Sequence, residues 1–182
     1  MPPPLMLPSH LESIIYDMKQ CIQAKLYYPA LLVALTIPEI CAALTLSRAT
    51  FVNKTHYANF VDRYTTPPSL GLGGAECYML RCGIVHRANL AAHTLLGVTH
   101  VVFTLPDSPG RLHAFSMVVG EYKSAMFDLQ SFCDTMEAAA RDWFRDHEHH
   151  TLVSENLKSL ISYKPFGAPP FVTGIPVVAS GP

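Results

Sequence analysis

The stretch from Tyr27 to Leu46 is the most apolar in the chain, and it carries Pro29, Pro38 and Glu39. A membrane-crossing helix needs ~20 predominantly apolar residues in a row. Two prolines and a carboxylate make this stretch a poor span and a good buried helix pair. Tyr28 to Thr36 predicts one helix. Pro38 then breaks or kinks it, because proline lacks the amide donor that an interior turn uses. Proline also suits the first turn of a new helix, so the pattern restarts over Glu39 to Leu46.

The remaining composition supports a packed domain. A chain of 182 residues that is 49% hydrophobic can bury a substantial core and is not disordered. Its charged fraction, 15%, is low for a soluble domain, which predicts further burial in an oligomer. Thirteen basic residues against fourteen acidic ones exclude a strongly basic nucleic-acid binder, so any contact with RNA must be local. The five cysteines are odd in number and form no Cys-x-x-Cys pair. That argues against a disulfide framework or zinc ribbon and predicts free thiols in a reducing cytoplasm. Met1 to Ser9 holds four prolines and no basic residue, unlike a signal peptide.

Hydrophobic periodicity predicts the other elements. Ser9-His10-Leu11-Glu12 has the form of a capping box and opens a helix to about Leu26. Asn53 to Tyr64 is helical, with Tyr57, Phe60, Val61 and Tyr64 on one core-facing stripe. After a loop that includes Thr65 to Pro68 and Gly71 to Gly74, a further helix runs from about Ala75 to Asn89. Val98 to Leu105 and Leu112 to Val119 predict a hairpin around Pro106 to Gly110, and Lys123 to Phe127 a third short strand. Asp128 or Ser131 caps a long helix to about His147, and a short helix covers roughly Val153 to Ile161. The fold class expected is therefore mainly α: a helical bundle with an added β-hairpin, about residues 98–119, on its C-terminal side. It forms a single domain, residues 9–163, followed by a Pro-rich tail, residues 164–182. The tail has five prolines and three glycines but also Phe166, Phe171, Ile175, Val177 and Val178. It is expected to be extended and to lie partly along the body or along a partner.

Candidate chemistry concentrates in Glu76 to Arg87. On a helix, Cys77, Leu80, Ile84 and Ala88 form one apolar stripe, with Arg81 inside it. An arginine there must reach a carboxylate, a phosphate or solvent, since an unpaired buried charge costs several kcal/mol. Glu39 is the candidate carboxylate. Met79, Cys82 and His86 form a second stripe, which predicts packing on both sides and points to the same helix of a second subunit. Arg81 and His86 stand about 140° apart on an ideal helix. Convergence on one ligand then needs a distortion at Gly83 or two subunits related by a two-fold axis.

Two other segments have weaker claims. His147-Glu148-His149-His150 invites a metal reading but has no further ligand pattern, and is taken as a hydrated helix end. Gly71-Leu72-Gly73-Gly74 lacks the lysine and hydroxyl of a phosphate-binding loop and is taken as a turn. No metal and no cofactor is expected.

The run Arg81-Cys82-Gly83-Ile84-Val85-His86, late in a helical domain, resembles the HEPN superfamily, marked by Arg-x4–6-His. The apolar helix pair, the aromatic helix and Glu76-Cys-Tyr-x-Leu-Arg-Cys add to that resemblance, which covers roughly residues 9–95. It implies an RNA-binding homodimer, in many members a metal-independent endoribonuclease of the toxin or stress-response kind, with an antitoxin or other protein partner. Carried over residue by residue, Arg81 holds phosphate and His86 moves the proton, supported by Glu39 and Cys82. Arg87 and Arg48 are substrate-binding candidates, with Lys54 and Arg63 as further basic positions. Cys82 stands where active members often have a polar residue. The alternative is a non-catalytic HEPN-like homodimer acting as an interaction or structural module, in which Arg81 is Glu39's structural partner.

Overall fold

A computed structural model describes residues 6–65, 67–90 and 93–181. The prolines at positions 2–4, Thr66 and Pro182 lie outside the described residues. The fold is mixed α/β and mostly helical.

Helices α1 (Ser9–Gln23) and α2 (Tyr27–Leu44) come first, and α2 packs against α1, α3 (Lys54–Tyr64), α5 (Gly74–Arg87), α7 (Leu129–His147) and α8 (Thr151–Leu157). Two single turns, α4 (Pro67–Leu70) and α6 (His93–Leu96), flank α5. The apolar segment is one continuous helix with Pro38 inside it, not the pair expected. Pro38 is itself buried among Leu35, Ile37 and Cys41. Packing on nearly every side outweighs the ~3 kcal/mol that an interior proline costs. By length and composition α2 is also long and apolar enough to cross a membrane, and half of it is buried inside the fold.

The helix ends show which local signals were used. Asn53 caps α3 and exchanges hydrogen bonds with His56, a reciprocal capping box. The same motif at Ser9 does not form. Pro8 occupies the cap position and Glu12 instead reaches Arg141 on α7, with contacts of 2.8 and 3.1 Å. A charge pair to another helix has displaced a local cap.

The strands differ from the hairpin expected at 98–119. Strands β1 (His100–Thr104) and β2 (Phe115–Val119) are not neighbours, because β3 (Tyr122–Asp128) lies between them. β3 runs parallel to β1, with His100 opposite Ser124 and Thr104 opposite Asp128. It is antiparallel to β2, with Phe115 opposite Met126 and Val119 opposite Tyr122. The tight hairpin is thus β2–β3, closed by Gly120-Glu121, where Gly120 takes a φ of +60°. β3 is central because it is the strand that brings Ala125 and Phe127 into the core, whereas every residue of β2 is exposed. β-Branched composition identified the strands but not their order.

Asp128 ends β3 and caps α7, whose stripe of Phe132, Met136, Ala139, Ala140 and Trp143 is buried as expected. In the tail, β4 (Ser162–Lys164) pairs with β7 (Val177–Ala179), and β5 (Gly167–Ala168) pairs with β6 (Val172–Thr173). The segment folds largely on itself, leaving Phe166, Phe171, Ile175 and Val178 exposed.

Candidate functional site

Helix α5 sits against α3 closely enough that a Cβ on Gly74 would lie 2.4 Å from the Ala58 carbonyl oxygen. Its first amide donates to the Asp62 carboxylate at 2.7 Å, a favourable anion at a helix N-terminus. The Gly-rich turn therefore directs that amide to a side chain of the fold. At the other end Ala88 adopts a left-handed conformation, and the amides of Ala88 and Asn89 both donate to the Gly83 carbonyl. The Tyr28 hydroxyl donates to the Ile84 carbonyl at 3.2 Å and ties the last turn of α5 to α2.

Between these ends, Cys77, Leu80, Gly83 and Ile84 are buried. Arg81 lies beside them with a side chain only 17% exposed, and its Nη2 pairs with the Glu39 carboxylate on α2. Its Nη1 lies 3.5 Å from His86 Nε2. A single chain thus brings Arg81 and His86 together, although their positions diverge on an ideal helix. The long arginine side chain spans the difference. Its Nε is buried and has no hydrogen-bond partner among the described residues.

Aromatic and sulfur side chains surround this group. Tyr57 is fully buried and donates to the Leu35 carbonyl at 2.8 Å, with the Tyr78 ring edge-on at 5.5 Å. Burial holds the Tyr57 phenol well above its ordinary pKa, against the opposing influence of Arg81. A hydrogen bond with Cys82, then burial, raises Tyr78. Tyr28 and Tyr78 were not singled out in the sequence. Their roles depend on which residue of another turn or helix they meet, and spacing along one helix does not carry that.

The remaining candidates separate. Cys82 is half-buried, while His86 and Arg87 are exposed in the last turn. Arg48 is elsewhere: its guanidinium donates to Ser159 Oγ, and it lines a cavity between α2 and α8. Glu39 lines that cavity too. Arg63 pairs with Asp146 at 3.0 Å. His147 stacks on Trp143 at 4.9 Å and donates through Nδ1 to the Trp143 carbonyl. Among the described residues, no three His, Cys, Asp or Glu side chains are grouped to hold a metal.

Chemically, the Arg81 group offers a guanidinium oriented by a carboxylate, with a solvent-facing imidazole beside it. No protein-family profile matches the chain, and no curated protein or solved structure is found to be similar to it.

Proposed function

We propose that this chain is a HEPN-like RNA-binding protein of the cytoplasm that works as a homodimer and cleaves RNA without a metal. The observation that carries this reading is the approach of His86 Nε2 to Arg81 Nη1, at 3.5 Å, on the exposed end of α5. In the reaction, His86 takes the proton of an RNA 2′-hydroxyl. The freed oxygen forms a bond to the adjacent phosphorus, and the bond from phosphorus to the 5′-oxygen breaks. The departing 5′-oxygen is protonated by the imidazole of the second copy. Arg81 donates to the phosphate oxygens as charge builds on them, and Glu39 holds the guanidinium in place. Arg87 adds a phosphate contact. Arg48 lines the cavity between α2 and α8, which Glu39 also borders, and takes no part in this step. The outer face of α5, where Val85 is 40% exposed beside Met79 and Cys82, is the proposed contact with the second copy.

A second reading has its own support. The Glu39 carboxylate already neutralises Arg81, and a neutralised guanidinium attracts phosphate less. On this reading the chain is a non-catalytic homodimeric module.

Purified protein incubated with total RNA in chelator decides between them, beside His86→Ala and Arg87→Ala. Cleavage by wild type that leaves cyclic phosphate ends, abolished in His86→Ala and weakened in Arg87→Ala, supports the nuclease. Equal silence from all three refutes it. Light scattering on wild type and Val85→Glu tests the second copy: a dimer that dissociates on substitution is expected.

A further inference from the structure

A cavity of about 540 Å³ opens between the C-terminal half of α2 and the end of α8. Its volume lies within the usual range for small-molecule sites. Its apolar lining comes from Ile40, Ala43, Leu44, Leu46 and Leu160, all aliphatic. Among the described residues no aromatic ring lines it, so they offer nothing on which a nucleobase can stack.

The charges within it are unequal. Glu39 lines the cavity but is matched by Arg81. Arg48 has a hydroxyl partner, Ser159, and among the described residues forms no ion pair with a carboxylate. Its remaining guanidinium donors can hold a carboxylate in a forked contact. The frame around it is fixed, because the Asn156 amide donates to the Leu44 and Leu46 carbonyls at 3.1 and 2.9 Å and clamps α8 to the end of α2.

We infer that this cavity binds an aliphatic monocarboxylate, with the carboxylate on Arg48 and the hydrocarbon chain along Ile40, Ala43 and Leu160. A cationic amphiphile would meet Arg48 with like charge. A purely apolar ligand would leave the guanidinium without an ion partner. The inference does not depend on the RNA reading, since neither His86 nor Arg87 takes part.

Isothermal titration of the full chain with decanoate tests it, using decanol and decylamine as neutral and cationic probes. Expected is saturable binding of decanoate, weakened about tenfold or more in Arg48→Gln and abolished in Ala43→Phe, whose ring fills the cavity from its exposed rim. Decanol should bind more weakly than decanoate and equally to wild type and Arg48→Gln. Absence of decanoate binding overturns the inference, as does binding unchanged in both variants, or decylamine binding as tightly as decanoate. Circular dichroism melts confirm that both variants fold. If either is unfolded, Arg48→Lys and Ala43→Leu replace them with the same expectations in smaller degree.

Discussion

Arg81 on α5 is tied to Glu39 on α2 by an ion pair at the packed boundary between the two helices. Both side chains are mostly withdrawn from water, at 17% and 31% exposed. Removing one partner strands the other, so Arg81→Ala should cost roughly 1–3 kcal/mol of folding stability. His86 is exposed in the last turn of α5 and meets only the tip of Arg81 among the described residues, so His86→Ala should leave stability within about 0.5 kcal/mol of wild type. Urea titrations of the two variants measure both. If His86→Ala proves as damaging as Arg81→Ala, the imidazole is a structural element and its proposed chemistry loses its basis.

The helical parts were legible because their signals are local. The Tyr57–Phe60–Val61–Tyr64 stripe and the long α7 stripe need only a period of 3.6 and a cap, and all of both but the half-buried Tyr64 is buried as read. Topology was less legible. β1 and β2 have similar compositions, and only the burial of Ala125 and Phe127 makes β3 the central strand. Pro38 shows the same limit from another side: the sequence contains the helix breaker but not the surrounding helices that override it. At the site, Glu39 was named as a partner for Arg81 because a carboxylate in an apolar run needs a cation. The approach of Arg81 to His86 was not visible, since ideal helix positions omit the length of the arginine side chain.

The Asp128 carboxylate gives a pH dependence. Burial pushes it up, but Arg111, the Ser131 amide and hydroxyl, and the charge of Arg111 outweigh burial and bring it down to about 2. Arg111 Nε lies 2.9 Å away and the Ser131 amide 2.8 Å. A carboxyl depressed in the folded state stabilises the fold at pH above its unfolded value, and that stability is lost as pH falls toward the folded value. The contribution, about 2 kcal/mol at neutral pH, should therefore fade between about pH 4 and 2. Urea midpoints of wild type and Asp128→Asn should differ at pH 7 and converge toward pH 2. A constant gap across that range would contradict the assignment.

Gly74 should tolerate no side chain. A Cβ there would come within 2.4 Å of the Ala58 carbonyl oxygen and 2.5 Å of its Cα, both backbone atoms that move only if α3 shifts. Gly74→Ala should cost about 1–3 kcal/mol through overpacking, despite the better helix propensity of alanine. Gly110, with nothing within 4 Å of its own Cβ position, is the control. Thermal melts should show Gly74→Ala well below wild type and Gly110→Ala close to it.

The five thiols should divide by burial. Cys41, Cys77 and Cys133 are buried, whereas Cys21 and Cys82 are partly open to solvent. Burial pushes the Cys41 and Cys77 thiols far up and Cys133 up to about 12, so none of these three presents thiolate at neutral pH. A thiol reagent added to the native protein should therefore label Cys21 and Cys82 promptly, and the others only at the rate of unfolding. Mass spectrometry of the labelled peptides gives the order. Prompt modification of Cys77 would mean that the α3–α5 contact opens readily. The Arg81 group is built on that same helix, so such opening would leave its geometry without a rigid support.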